Sequence, residues 1–224
     1  MYHPVLARSV LFRGATAEEI DQMLDCLRPE RRQFAKGQAI LRTGDTTSSL
    51  GIVLSGRVLI ERIDLWGNSA VLDSIGPGQI FAESYACTPG EPLMVDVTAA
   101  EPCEVLFLSI SRVLQTCPRT CAHHTRLIRA LLALTAQKNL TLSRKIFHTA
   151  PKSIRARLLS YLSWQAIRNG SRCFTIPFDR RQLAEYLNVD RSALSNELSK
   201  MRREGLLRAE KNRFELLDMP ETPQ

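Results

Sequence analysis

Residues 179–205, DRRQLAEYLNVDRSALSNELSKMRREG, constrain this chain more tightly than any other stretch. Leu183 and Leu187 stand at i, i+4 on one side of a helix predicted over Arg180 to Leu187, and small Ala184 lets a second helix approach closely. Asn188 suits a sharp bend, because Asn tolerates the left-handed backbone conformation that such bends require. Asp190 follows as an N-cap, and a second helix is predicted from Arg191 to about Glu204, stopping at Gly205. At 100° per residue, Leu194, Leu198 and Met201 fall in one narrow arc. Ser192, Ser195, Asn196, Ser199 and Arg203 lie roughly opposite. Short hydrogen-bonding side chains near a helix N-terminus, flanked by Arg191, can reach base edges and phosphates in a DNA major groove, which is how a helix-turn-helix docks. The candidate DNA contacts are Arg180, Arg191, Ser192, Ser195, Asn196, Ser199, Lys200 and Arg203. The bland alternative for the same face is an ordinary solvated helix hairpin.

Charge supports the first reading. The net charge is +7, and from Lys145 onward there are 15 basic and 9 acidic residues, a surplus of +6. A basic C-terminal third on a near-neutral body is what a phosphate-binding module attached to a sensor would give. At 224 residues two domains are expected. No Walker loop, GxGxxG, HExxH or GxSxG is present, so no enzymatic activity is expected. The 6 cysteines contain no CxxC pair, no leader pattern is evident and no apolar run approaches a membrane span, so a reduced cytoplasmic setting is expected, with no membrane partner.

Upstream, ATAEEIDQMLDCL predicts an amphipathic helix with Thr16 as N-cap and Ile20, Met23, Leu24 and Leu27 on one face. Residues 31–109 change period: QAILR, LGIVLSG, RVLIERI, AVLDSI, MVDVTA and CEVLFLS are punctuated by Gly37, Gly44, Gly51, Gly56, Gly67, Gly76 and Gly78, which favours an antiparallel β-sandwich or roll. Gly67-Asn68 and Gly76-Pro77-Gly78 are turn signals. From residue 110 the helical period returns. Pro118 can start a helix of nearly 30 residues with Leu127, Leu131 and Leu134 as an apolar seam, which packs on its own roll, on a second copy, or on both. Ala150-Pro151 breaks the pattern and marks a hinge. A further helix, Lys152 to Ile167, is expected to bury Leu158, Leu159 and Leu162, and LLRAEKNRFELL after Gly205 predicts a two-stranded wing.

This order, with GPGQIFAES at Gly76–Ser84 and RRQLAEYLNVDRSALSNELSKMRREGLL, resembles the CRP/FNR family of bacterial transcription regulators over nearly the whole chain. The resemblance implies an α+β chain with three parts: an N-terminal antiparallel β-roll like a cyclic-nucleotide-binding jelly roll (1–117), a long dimerisation helix (118–147) and a winged helix-turn-helix (148–224). It also implies a homodimer held through Leu127, Leu131 and Leu134, a near-palindromic double-stranded DNA site, RNA polymerase as a partner and a small-molecule effector read by the roll.

The departures narrow the effector. Glu83 stands in the position of the family's nucleotide-binding Glu, but the Arg-Ser pair that holds the cyclic phosphate is replaced by Leu93 and Met94, which removes the anion's charge partner. Only Cys26 lies where the oxygen-sensing branch carries a cysteine cluster, so an iron–sulfur centre is not expected, and no other cofactor or metal is. The expected effector is therefore not a cyclic nucleotide, and its candidate contacts are Glu83, Ser84, Leu93, Met94, Lys138, Asn139 and Leu142. Two alternatives stay open: a thiol-redox regulator using Cys117 or Cys121, near His123 and His124, or a cyclic-nucleotide binder with an atypical phosphate site.

Overall fold

The computed structural model describes residues 4–63, 69–114 and 122–217. The chain forms two compact units, Met1–Gln137 and Lys138–Gln224.

The first unit opens with two short 3₁₀ segments, Pro4–Arg8 and Val10–Phe12, and then α1 (Ala17–Leu27). Thr16 and Glu19 form a reciprocal capping box at its start, and Ile20, Met23, Leu24 and Leu27 are buried as the periodicity predicts. Eight strands follow: β1 (Glu30–Phe34), β2 (Ala39–Leu41), β3 (Ser49–Ser55), β4 (Val58–Ile63), β5 (Ser69–Ile75), β6 (Ile80–Phe81), β7 (Asp96–Ala99) and β8 (Cys103–Ser109). The four-residue helix α2 (Glu83–Ala86) sits between β6 and β7, and α3 (Ile110–Leu114) follows β8. All strand pairs are antiparallel, in two sheets ordered β1-β8-β3-β6 and β2-β7-β4-β5.

Strands β3 and β8 carry the unit because they are buried on both faces. Val53, Val105 and Phe107 point into the roll with Val58, Ile75, Phe81 and Val97, while Leu50, Ile52, Leu54, Leu106 and Leu108 point outward into a second core shared with the helices. Burial on both sides is why these strands read as continuous apolar runs instead of alternating ones. Gly51, expected as punctuation, lies within β3: a Cβ there would overlap the ring of Phe81, its register partner on the neighbouring strand β6, so glycine leaves room for that ring to lie across β3. Strand β1 had no apolar signal, since ERRQF is almost wholly exposed at a sheet edge. Edge strands rich in charge resist pairing with other chains. The turn at Gly76–Gly78 forms, with Gly78 at φ 82° and the Gln79 side chain accepting from the Gly76 amide at 2.6 Å. The Gly67-Asn68 signal lies outside the described residues, as do Pro118, Cys117 and Cys121 and the side chains of His123 and His124.

The long helix α4 (Ala122–Thr149) brings one correction. Leu127 is 1% and Leu131 4% exposed, and with Leu134 beside them they pack into the outer core against Ile20, Met23 and Leu24 of α1 and the 3₁₀ residues Leu11 and Phe12. The seam expected to join two chains is therefore covered by its own chain. The reason is the second face of β3 and β8, which needs a helical cover that α1 alone does not complete. Arg126 secures that cover, donating to the Arg13 carbonyl at 3.0 Å and pairing with Glu19 at 3.5 Å.

The second unit contains α5 (Ile154–Asn169), β9 (Cys173–Thr175), α6 (Arg180–Leu187), α7 (Arg191–Arg203), β10 (Leu207–Glu210) and β11 (Arg213–Leu216). Leu158, Tyr161 and Leu162 of α5 are buried among Leu183, Leu187, Leu194, Leu198, Met201 and Phe214. Leu159 was expected there too, but it is exposed, because it follows the buried Leu158 by one position and so faces away from it. The wing has a third strand beyond the two that were expected: β9 pairs with β11, giving the order β10-β11-β9. Among the described residues no helix is long and apolar enough to cross a membrane.

Candidate nucleic-acid interface

Local sequence fixes both helices of the 180–203 pair at their ends. Asp179 accepts from the Gln182 amide at 2.8 Å while the Gln182 side chain accepts from the Asp179 amide at 2.9 Å, a complete capping box on α6. Asn188 ends α6 in the left-handed conformation, φ 53°, and the Val189 amide returns to the Ala184 carbonyl at 3.0 Å. Asp190 then caps α7 through the Ala193 amide at 2.9 Å, and Gly205, φ 75°, closes its far end. Proton-accepting work at the cap holds the Asp190 carboxyl below the usual range, the Ser192 hydroxyl contributing most.

Two faces of α7 are occupied. Leu194, Leu198 and Met201 enter the core. Glu197 and Glu204, on a second face, are both held by Arg155 of α5, at 2.6 Å and 2.7 Å. Arg157 of α5 donates to the carbonyls of Leu187, Asn188 and Pro151 at 3.1, 2.9 and 2.8 Å, which pins the bend itself. Neither arginine was singled out in the sequence. A signal existed in the charge complement of a helix carrying Glu at i, i+7 against its basic neighbour, but pairing them needs the fold. The face left open carries Arg191, Ser192, Asn196, Ser199, Lys200 and Arg203, all exposed, with Ser195 half-buried.

Two open grooves border this face. One, of about 780 Å³, runs between the end of α7 and the wing and is lined by Ser199, Arg202, Arg203, Arg208, Arg213 and Cys173 among others. The other, of about 710 Å³, lies at the start of α7 and includes Arg180, Arg181, Arg191 and Lys211. The walls keep a surplus of positive charge despite Glu210 and Glu215 in the first groove and Asp179 in the second, which suits a duplex whose bases face the row and whose phosphates face the walls. Arg208, Lys211 and Arg213 join the interface only because the wing folds back beside α7, whereas Arg202 and Arg181 come from α7 and α6. Arg180 is less free than expected. It is half-buried, with its guanidinium 5.0 Å from the Phe214 ring centroid, and burial together with Arg202 lowers its pKa.

The sequence patterns at both ends agree with this geometry. Residues 31–120 match the cyclic nucleotide-binding domain family, and residues 156–221 match the Crp-like helix-turn-helix domain family. The chain belongs to the CRP/FNR family of transcription regulators. It is similar to the cyclic AMP receptor protein of Thermus thermophilus, 35% identical over 100 residues that span 45% of either chain. To the transcriptional activator protein FnrA of Stutzerimonas stutzeri it is 24% identical over 197 residues, 87% of this chain and 80% of that one. In fold it is similar to the Thermus thermophilus catabolite activator protein, TM-score 0.51 at 24% identity, with 93% of each chain covered.

The candidate effector residues of this family member separate between the two units. In the first, Glu83 is 3% exposed at the start of α2, with the Ser84 hydroxyl 3.3 Å from its carboxylate. Leu93 is buried, its amide and carbonyl bonded to Asp45 and Gly44 at 2.8 Å each, whereas Met94 is 71% exposed. Leu93 and Met94 therefore do not form a single apolar wall. Lys138, Asn139 and Leu142 belong to the second unit, where all three are exposed. Among the described residues no three His, Cys, Asp or Glu side chains are grouped to hold a metal ion.

Beneath the helix-turn-helix, His148 in the last turn of α4 is buried in an aromatic cluster. Its ring lies 5.5 Å from Tyr161, 5.6 Å from Trp164 and 6.2 Å from Tyr186, and Nδ1 is 3.1 Å from the Ser160 hydroxyl. Arg144 and Arg168 both stack on Trp164, so a proton on His148 would add a third positive charge to the cluster. Burial lowers the His148 pKa and pushes the Tyr161 hydroxyl up to about 12. A lowered folded-state pKa means that the unfolded chain binds the proton first, so stability is full above the ordinary value of 6.5 and falls as pH drops below it. Acidification should thus cost about 1.4 kcal/mol for each pH unit between the two pKa values. Thermal unfolding of the whole chain followed from pH 7 downward should show this loss, and His148→Phe should flatten the profile; an unchanged profile would mean that the imidazole is already protonated or solvated in the folded chain.

Proposed function

We propose that this chain is a homodimeric, sequence-specific regulator of transcription, with effector sensing in residues 1–117, dimerisation in 118–147 and DNA binding in 148–224. The observation that carries the DNA assignment is the open polar row of α7 between two arginine-lined grooves. Arg191 and Asn196 are the base readers, since Arg presents paired donors to guanine and Asn a donor and acceptor to adenine. Ser192, Ser195 and Ser199 read the bases between them. Arg202, Arg203, Arg208 and Lys200 hold phosphates, and RNA polymerase is the partner that such a regulator addresses at a promoter.

The effector reading follows from charge. Leu93 and Met94 supply no cation for a cyclic phosphate, and the buried Glu83 carboxylate opposes an anion. An effector without an anionic phosphate suits these residues better. Burial and the Glu83 carboxylate both raise the Cys87 pKa and so disfavour a thiolate at that position, whereas the candidate redox cysteines Cys117 and Cys121 lie outside the described residues.

A gel-shift selection from random duplexes tests the DNA assignment. A dimer contacting on the order of 6 to 10 phosphates should lose about 10³ to 10⁵ in affinity between 50 and 200 mM salt. Arg191→Ala or Asn196→Ala should cost about 1–3 kcal/mol on the selected site and little on random DNA, whereas Arg208→Ala should weaken all duplexes alike. Equal losses on selected and random duplexes for the first two would remove α7 from the reading role.

The dimer needs a new face, because Leu127 and Leu131 are buried within the chain. Ile128, Leu132, Thr135, Asn139, Leu142 and Ile146 recur along α4 at alternating spacings of four and three, the signature of a coiled-coil seam. Leu132, Leu142 and Ile146 are 67%, 61% and 66% exposed, and a single Asn in such a seam fixes register. Leu132→Asp should convert a dimer to a monomer in sedimentation while leaving the roll folded. Leu131→Asp should instead unfold the roll, since an unpaired carboxylate would enter its outer core. A Leu132→Asp protein that still sediments as a dimer would place the seam elsewhere.

A further inference from the structure

The recognition row of α7 contains three serines whose hydroxyl protons are already engaged within the helix. Ser192 donates to the Asp190 carboxylate, Ser195 donates to the Arg191 carbonyl at 2.9 Å, and Ser199 donates to the Ser195 carbonyl at 2.9 Å. A hydroxyl has one proton and two lone pairs. With the proton used locally, each serine offers the outside only acceptors. The Ser192 bond is charge-assisted and so the firmest, and Asp190 is held in place in turn by its cap on Ala193.

Resting on the DNA assignment above, we infer that Ser192, Ser195 and Ser199 read amino bases against keto bases on one strand. In the major groove adenine presents N6–H₂ and cytosine N4–H₂ as donors, whereas guanine and thymine present the acceptors O6, N7 and O4. An acceptor-only row bonds to the first pair and meets the second with facing lone pairs. To accommodate a keto base, a serine must turn its proton outward and give up its internal bond, which for Ser192 leaves a carboxylate oxygen with one fewer donor. The row therefore distinguishes adenine and cytosine from guanine and thymine, and does not distinguish adenine from cytosine. At about 1.5 Å rise per residue, Ser192 to Ser199 spans about 10 Å, or about three base steps of 3.4 Å. Each half-site then carries a tract of about three A or C positions on the strand facing α7. The complementary strand carries the keto bases. Arg191, at the start of the helix, and Asn196, on the flank of the row, are the α7 side chains that offer donors there, and hence read any guanine or strict adenine in the half-site.

The experiment is selection from a duplex library randomised across the half-site, with the full-length wild-type chain and with Ser192→Ala, Ser195→Ala and Ser199→Ala. Alanine is the better helix former and none of the three sites lies in the core, so matched circular dichroism and melting will show that the variants are folded. The expected result is A or C on one strand at the positions that individual Ser→Ala changes relax, with discrimination against G or T falling by roughly 2- to 10-fold at each. Affinity for the selected site should fall more than affinity for random duplexes. A position relaxed by Ser→Ala at which the wild-type chain prefers G or T overturns the acceptor reading alone, and so does a set of folded variants that relax no position. If the wild-type chain enriches no sequence at all, the DNA assignment fails and this inference fails with it.

Discussion

The reading face of α7 depends on the helix being gripped from its other two sides. Leu194, Leu198 and Met201 anchor one side in the core, and Arg155 of α5 holds Glu197 and Glu204 on another. Partly exposed ion pairs contribute little to stability individually. Their contribution here is positional: a two-carboxylate fork on one guanidinium limits both the rotation of α7 about its axis and its slide along it. Arg157 does the same for the bend by taking the Leu187 and Asn188 carbonyls, the groups that the left-handed Asn188 leaves at the end of α6. With these constraints only the row from Arg191 to Arg203 remains for a partner, and the wing then sets arginines along its border.

The same logic of shared faces governs the roll. Because β3 and β8 are apolar on both sides, the inner core cannot form without leaving an outer one to cover, and the N-terminal 3₁₀ segments, α1 and the first turns of α4 supply that cover. Leu127 and Leu131 answer to this internal demand. The neighbouring stripe of α4, offset by about one residue or 100°, leaves Leu132, Leu142 and Ile146 exposed, and a self-associating chain can use that stripe without competition from its own fold.

Much of this was legible in the sequence wherever a local rule decided the outcome. Thr16, Asp179 and Asp190 cap the helices they were expected to cap, Asn188 and Gly205 adopt left-handed geometry, and both helices of the recognition pair begin and end within a residue of expectation. What escaped was non-local. Strand β1 is polar because it lies at an edge, β9 is only three residues long and exists through its pairing with β11, and the Arg155 and Arg157 contacts join positions 30 to 49 residues apart. The α4 seam was misassigned for a related reason: periodicity marks an apolar stripe, but two stripes share that helix, and only the packing of α1 tells which one is covered at home. For the effector, sequence shows which phosphate-binding side chains are missing, and the roll adds that Leu93 is internal while Met94 is exposed.

The central claim is that the α7 row enters the major groove, once per half-site, on a two-fold symmetric duplex. Dimethyl sulfate footprinting tests it directly, because the reagent methylates guanine N7 in the major groove and adenine N3 in the minor groove. Guanine N7 should be protected in two patches with centres about 34–36 Å apart, one helical turn. Protection confined to adenine N3, or a single unpaired patch, would contradict it.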